Sequence, residues 1–259
     1  MQIISVLLAL PVSIGLVIWV MRLKKDDPFS KSIVTRALLL GALASVLSAV
    51  FSIGLAFVKL LVMLGPGALS SVSLSDPQSL NALAEQIRDL SSGQDVSLIR
   101  IFINTFIIIG LIEELFKFLM LKITEKKIDT AASCYDMALL GALIGLGFQI
   151  FEDISYSGGG LVVAVFRAFM PFHFVFGAIM GYLYGKAKEE GKMWLSAAAI
   201  LIPAIIHSIF DFSVNAYALD DRYLVLELVC IAAMLILFIA SLIQIKKGTS
   251  NGRIQSRKE

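Results

Sequence analysis

The chain of 259 residues is poor in charge and contains only two cysteines and two histidines. Charged residues make up 16% of it and hydrophobic residues 58%, and the mean hydropathy of +0.87 is too high for a soluble domain. With only Cys134 and Cys230 present, nothing indicates a disulfide framework or a cysteine-based metal site. The glycines lie inside apolar runs rather than in a nucleotide-binding pattern, and no nucleic-acid partner is expected. The sequence therefore predicts an integral membrane protein.

The apolar runs predict an all-α, polytopic protein that forms a single membrane domain over residues 1–259. The first basic cluster follows the first apolar run, which indicates an anchored helix rather than a cleaved signal peptide. Runs close to the roughly 20 residues that cross a bilayer number about seven. These predicted spans are residues 2–21, 37–63, 99–122, 134–157, 160–186, 193–217 and 223–245.

Lysines and arginines are concentrated in every second segment between the predicted spans. The other loops carry Arg88, Arg100 and Arg222. Because basic loops stay on the cytoplasmic side, the N-terminus is predicted outside and the C-terminus in the cytoplasm. The basic segments are residues 22–36, 122–130 and 186–192 and the tail 246–259.

The external segment 64–98 contains a further helical pattern. Its apolar residues recur at helical spacing, with charged residues on the opposite side, which predicts an amphipathic helix on the outer membrane surface. This pattern favours an interfacial anchor over a lid or a substrate-docking element. The apolar positions are Leu80, Leu83, Ala84, Ile87 and Leu90, and the charged ones are Glu85, Arg88 and Asp89.

The stretch GLIEELFKFLMLK, residues 110–122, places charged residues inside the third predicted span. Ionised side chains inside a bilayer are costly and usually functional. Lys117 follows Glu113 by one helical turn and Glu114 by three residues, so it can neutralise one of the two carboxylates. Taken alone, this motif also fits a structural ion pair that joins two membrane helices.

Three later spans carry polar residues that extend this motif. Glu152 stands on a face with small residues, and Tyr156 follows it one turn later. His173 begins a face of regularly spaced glycines, which lets a neighbouring helix approach closely. His207 and Asp211 share a face of the sixth span. Both histidines of the chain are thus expected to lie beside carboxylates in one polar interior.

Two more residues of the fifth predicted span bear on His173. Pro171 removes a backbone donor nearby and predicts a kink in the helix. Arg167 is expected to point away from the polar interior, as a snorkelling or substrate-contact residue.

The polar residues suit activation of water more than nucleophilic catalysis. Ser208 adjoins His207, but neighbouring helical residues face different directions. Carboxylates and imidazoles serve as general bases or as ligands of a divalent metal that activates water. Glu152, His173 and His207 would match a catalytic zinc set with one open position. Because the chain lacks the zinc-binding motif H-E-x-x-H, the spacing of these residues does not decide whether the site binds a divalent metal such as zinc or no metal at all.

Four motifs occur in a fixed order along the third to sixth spans. They are EELFK at 113–117, GLGFQIFEDISY at 145–156, PFHFVFGAIMGYLYG at 171–185 and HSIFDF at 207–212. The ordered set resembles the PrsW family of intramembrane proteases, distant relatives of the CAAX prenyl protease and bacteriocin-processing superfamily. Lys117 matches the PrsW form of the first motif, because the superfamily often has arginine one position later.

The resemblance implies a glutamic or metallo-type peptidase in the bacterial plasma membrane. Its expected substrate is a single-pass membrane protein such as an anti-sigma factor, cut first near the bilayer. Glu113 and Glu114 match the paired glutamates of the family, and Glu152, His173 and His207 match its later motifs. The substrate, the scissile bond and the oligomeric state are left open.

The resemblance and the residue chemistry together suggest roles. Glu113 or Glu114, with His173, would activate the attacking water as general base. His207, oriented by Asp211, would stabilise the oxyanion of the tetrahedral intermediate.

Two supporting roles complete this hypothesis. Lys117 would hold the glutamate pair at mixed protonation. Glu152 would act as a second base, as a metal ligand or as a structural partner of Tyr156, and the sequence does not choose among these.

Two other functions compete with proteolysis. A proton-coupled transporter also lines a membrane cavity with carboxylates and histidines, but it predicts internal repeats and paired broken helices, and the sequence shows neither. A non-catalytic scaffold would use the cluster to join helices or to receive a partner helix. A superfamily relation to a scaffold subunit of gamma-secretase keeps this alternative open.

Overall fold

The computed structural model describes residues 2–24, 28–65, 76–92, 97–128, 132–156, 165–167 and 169–256, with the side chains of 2–9, 86–92 and 250–256 left aside. Within these ranges every regular element is a helix. The helices are α1 (Gln2–Leu23), α2 (Lys31–Leu64), α3 (Pro77–Ser92), α4 (Leu98–Asn104), α5 (Leu111–Glu125), α6 (Cys134–Ser155), α7 (Phe172–Glu190), α8 (Met193–Leu219) and α9 (Leu224–Ser256).

Five helical segments among the described residues are long and apolar enough to cross a membrane. Helix α1 adds the shorter apolar stretch Leu10–Leu23. The third predicted span is divided between α4 and α5, and α5 carries the charges of the EELFK motif. The all-α membrane architecture is confirmed, whereas the count of seven spans stays a prediction. The five segments are Lys31–Leu64, Cys134–Ser155, Met193–Leu219, Asp221–Thr249 and Val165–Glu190, of which the last comprises α7 and the residues before it, including the break at 170–171 and residue 168, which is not described.

The predicted amphipathic helix of the external segment is present as α3. Asp76 precedes it, and its carboxylate accepts hydrogen bonds from the backbone N–H groups of Gln78 and Ser79. Such a side-chain cap satisfies donors that the first turn leaves free. The position of α3 on a membrane surface stays a prediction. Residues 66–75 and 93–96 of this segment lie outside the described part of the chain.

Helix α6 is the central element, and all of its side chains from Met137 to Gln149 are buried. It makes its most extensive contacts with α7 and then with α2. Gly145 lies so close to the carbonyl oxygen of His173 that a Cβ there would overlap it, and Gly141 and Gly177 meet in the same way. Small residues at these positions let the two helices approach closely and press His173 against α6.

The predicted kink at Pro171 is wrong, because a new helix starts there. Pro171 is the residue before the first turn of α7, where its missing N–H group leaves no hydrogen bond unmade. His173 therefore stands in the first turn, where backbone N–H groups have no partner within the helix. Its N–H group donates instead to the side-chain oxygen of Gln149 on α6, at 3.4 Å.

Candidate active site

A π-helical segment, Thr105–Gly110, joins α4 to α5 directly before the paired glutamates. Ser52 of α2 donates to a backbone carbonyl of this segment at 2.7 Å. Gly110 approaches α8 so closely that a Cβ would overlap the hydroxyl oxygen of Ser208. A π-helical turn holds more residues than an α-helical one, so it resets the face that the following residues present. The segment thus helps to bring α5 beside His207.

A buried ion pair forms the closed end of the site. The ammonium of Lys117 lies 2.7 Å from Oε1 of Glu114, and both side chains are fully buried. The same ammonium lies 2.7 Å from Nδ1 of His173, and Oε1 of Glu114 lies 3.1 Å from Nδ1 of His207. Lys117 is 3.7 Å from Glu113, so it pairs more closely with the second glutamate. The two adjacent carboxylates therefore differ in their surroundings, because Glu114 is paired closely with Lys117 and Glu113 is not.

Glu113 faces the two histidines. Its Oε2 lies 3.9 Å from Nε2 of His207 and, among the described residues, has no hydrogen-bond partner although it is buried. One ligand atom from each of Glu113, His173 and His207 lies within 4.8 Å of the others. Two imidazoles and a carboxylate are the donors that catalytic zinc takes, so this set fits a divalent metal. Its carboxylate is Glu113 rather than the expected Glu152.

His207 is enclosed by polar and aromatic groups. Nε2 lies 3.3 Å from Oδ2 of Asp211, one turn later on α8, as the shared face predicts. The ring stacks on Phe176 at 4.8 Å and meets the ring of His173 edge to face at 5.1 Å. Packing on one face and carboxylates along two edges hold the ring in one orientation.

Glu152 binds His173 and Arg167. Its Oε2 lies 2.7 Å from Nε2 of His173 and 2.7 Å from Nη2 of Arg167. The expectation that Arg167 points away from the cluster is therefore wrong. The guanidinium of Arg167 also lies 4.5 Å from the centre of the Tyr156 ring, so this arginine contacts both Glu152 and Tyr156.

Two residues that the sequence did not single out belong to the same network. Asp153 accepts a hydrogen bond from Nε of Arg167 at 2.9 Å and another from the amide of Gln149 at 2.7 Å. Arg167, the single basic residue shortly before His173, could have predicted this network, because an arginine inside a membrane protein needs an acidic partner.

The cluster opens toward one end. The side chains of Lys117 and Glu114 are fully buried, whereas that of Glu113 is 13% exposed. Exposure reaches 23% at Arg167 and 24% at Asp211. Among the described residues, the cluster is therefore least buried toward the end of α6 and the start of α7.

Comparison with known proteins gives a consistent match. A family model described as PrsW family intramembrane metalloprotease matches residues 29–241. Protease PrsW of Oceanobacillus iheyensis is 31% identical over 156 residues, which cover 58% of this chain and 70% of that protein. Protease PrsW of Halalkalibacterium halodurans is 35% identical over 115 residues, 42% of this chain and 53% of that protein.

A third relative, Protease PrsW of Bacillus subtilis, is 31% identical over 121 residues, 44% of this chain and 56% of that protein. The chain thus spans little more than half the length of two of these three relatives. No solved structure matches the chain.

Proposed function

The chain belongs to the PrsW family of intramembrane proteases, and we propose that it hydrolyses a peptide bond of a single-pass membrane protein. It is a multi-pass bacterial membrane protein of a peptidase family. Site-1 cleavage of an anti-sigma factor is the proposed example of its reaction. The observation that carries the proposal is the convergence of Glu113, His173 and His207 at the exposed edge of a buried charge network.

Glu113 is the proposed general base. Oε2 of each paired glutamate is buried without a hydrogen-bond partner among the described residues. Oε1 of Glu114, however, is held by Lys117 and faces Nδ1 of His207, whereas the side chain of Glu113 is partly exposed. Glu113 would take a proton from water as the water oxygen attacks the carbonyl carbon. It would return that proton to the amine nitrogen as the carbon–nitrogen bond breaks. Glu114 would orient His207.

The family description names a metalloprotease, and the donor set described above fits a metal of the zinc class. Glu113, His173 and His207 would hold it, and a bound metal would activate water and polarise the scissile carbonyl. Because a carboxylate has two oxygens, Glu113 would remain able to accept a proton with the second one.

The two histidines would have separate tasks. His207, oriented by Glu114 and Asp211, would donate to the developing oxyanion in a metal-free reaction, and would be a ligand when a metal is bound. The ammonium of Lys117 has no acceptor, so Nδ1 of His173 accepts from it and Nε2–H donates to Glu152.

We propose about seven spans in one domain, residues 1–259, with the N-terminus and segment 64–98 outside and the basic tail 246–259 in the cytoplasm. The basic loops support this orientation, and it places the open end of the site on the outer side. A membrane-impermeant maleimide should label Gln78→Cys but not Lys192→Cys in intact cells. Both positions are exposed and both native cysteines are buried. If Lys192→Cys were labelled and Gln78→Cys were not, the protein would have the opposite orientation in the membrane.

The function is tested with purified protein and a single-pass reporter in detergent. Wild type should cleave the reporter, and His207→Ala should lower kcat by about 10²- to 10³-fold, the usual effect of losing one oxyanion donor. Arg222→Gln is the matched control, because Arg222 is 82% exposed and pairs with its near neighbour Asp220. Chelator treatment separates the two chemistries, since loss of activity that zinc restores assigns a metal.

Two outcomes would contradict the proposal. Cleavage by folded His173→Ala and His207→Ala at the wild-type rate would remove the cluster from catalysis. A failure of wild type to cut any reporter, joined with loss of partner binding in these variants, would identify the scaffold function instead.

A further inference from the structure

Arg167 occupies a position that links the segment before α7 to the end of α6. Its guanidinium binds Oε2 of Glu152 through Nη2 at 2.7 Å and Oδ1 of Asp153 through Nε at 2.9 Å. The carboxylate of Asp153 is almost fully buried. Two neighbouring carboxylates are therefore held by one planar cation, a geometry that lysine cannot reproduce.

Both carboxylates are connected to His173 through hydrogen bonds, Glu152 directly and Asp153 through Gln149. Glu152 accepts from Nε2 of the ring at 2.7 Å. Asp153 accepts from the amide of Gln149, and the oxygen of that amide in turn accepts from the backbone N–H of His173. Arg167 thus anchors Glu152, which binds the ring of His173, and Asp153, which holds the amide that binds its backbone N–H. In neither case does Arg167 itself contact His173.

We propose that Arg167 is a positioning residue of the reaction, which sets the orientation of His173 by anchoring Glu152 and Asp153. This inference rests on the proposed function, because it assumes that His173 takes part in catalysis. Without the guanidinium, Glu152 loses the cation that holds it in place, and Nε2–H of His173 loses a fixed acceptor.

The first test compares Arg167→Gln and Arg167→Lys with wild type in the reporter assay. Loss of a residue that orients a catalytic group typically lowers activity about 10- to 100-fold, and we expect this loss in kcat of Arg167→Gln with KM little changed. Arg167→Lys keeps the charge but not the fork, so its kcat should lie between the two. Arg222→Gln serves as the control for loss of an arginine that does not touch the cluster.

A double-mutant cycle separates positioning from simple stabilisation. If Arg167 acts through Glu152, then Arg167→Gln should lower kcat much less in a Glu152→Gln background than in wild type. An equal loss in both backgrounds would contradict the proposal, as would a wild-type kcat in folded Arg167→Gln. Should Arg167→Gln fail to fold, Arg167→Gln combined with Glu152→Gln and Asp153→Asn removes the unpaired charges. Its kcat should then equal that of Glu152→Gln/Asp153→Asn, and a clear difference would overturn the proposal.

Nuclear magnetic resonance of nitrogen-15-labelled histidine gives a readout that does not depend on cleavage. The chain has only two histidines, and a His207→Ala sample assigns the signals of His173. In chelator-treated protein we expect wild type to show unprotonated Nδ1 and a hydrogen-bonded Nε2–H at His173, and Arg167→Gln to lose the hydrogen-bond shift of Nε2–H from this pattern. An unchanged pattern would overturn the positioning role. If wild type shows the pattern but cuts no reporter, the proposed function fails while the anchoring by Arg167 stands.

Discussion

Replacing Glu113 by glutamine is expected to lower kcat by about 10²- to 10⁴-fold while the protein remains folded, because a general base contributes roughly that factor. The amide has the shape of the carboxylate but cannot take a proton from water. Oε2 of Glu113 has no hydrogen-bond partner among the described residues, so the substitution breaks no hydrogen bond of that oxygen. Reporter cleavage per folded molecule, with folding checked by thermal unfolding, measures the effect.

Glu114→Gln is the matched control for this prediction, since it makes the same chemical change one residue later. Oε1 of Glu114 binds Lys117 and faces His207 at the fully buried end of the site. Its loss should therefore reduce stability as well as activity. A Glu113→Gln protein that cleaves at the wild-type rate would refute the assignment of the base. So would a Glu114→Gln protein that keeps its stability and loses all activity.

Lys117→Met is expected to lower the free energy of unfolding by about 3–5 kcal/mol, the usual effect of removing one partner of a buried ion pair. Both side chains of the Lys117–Glu114 pair are fully buried, and the ammonium also lies 3.9 Å from the centre of the Phe148 ring. Without Lys117, the fully buried carboxylate of Glu114 loses the ammonium that compensates its charge. Unfolding by denaturant in detergent measures the change.

A second substitution should rescue the fold without rescuing activity. In Lys117→Met/Glu114→Gln no buried charge of the pair remains, so most of the lost stability should return. Activity should stay low, because His173 loses the ammonium at Nδ1 and His207 faces a neutral amide in place of a carboxylate. Lys186→Met is the control, as Lys186 is 40% exposed and lies 3.5 Å from Glu190. A Lys117→Met protein as stable as the control would contradict the proposed buried pair.

The sequence predicts the helices well because apolar runs of membrane length leave few alternatives. It also brings Glu113, His173 and His207 together, since helical spacing places each on a polar face. It does not predict that Glu114 is fully buried while Glu113 is partly exposed, because the orientation of α5 follows from the π-helical segment Thr105–Gly110, for which the residues give no recognisable signal.

The errors of the sequence interpretation concern the start of α7. Pro171 is compatible with a kink or with a helix start. The side-chain oxygen of Gln149 accepts from the backbone N–H of His173, and this hydrogen bond favours the helix start. A continuous helix predicts that Arg167, six residues before His173, points away from it as a snorkelling or substrate-contact residue. The break before α7 removes that constraint and lets the guanidinium reach Glu152.

The most direct test of the proteolytic account is the mass of the fragments formed from a single-pass reporter in proteoliposomes. Wild type should give two fragments whose masses add up to the reporter plus one water, and folded Glu113→Gln should leave the reporter intact. A reporter that stays whole with wild type, or that Glu113→Gln cuts at the same bond and rate, would contradict hydrolysis by this cluster.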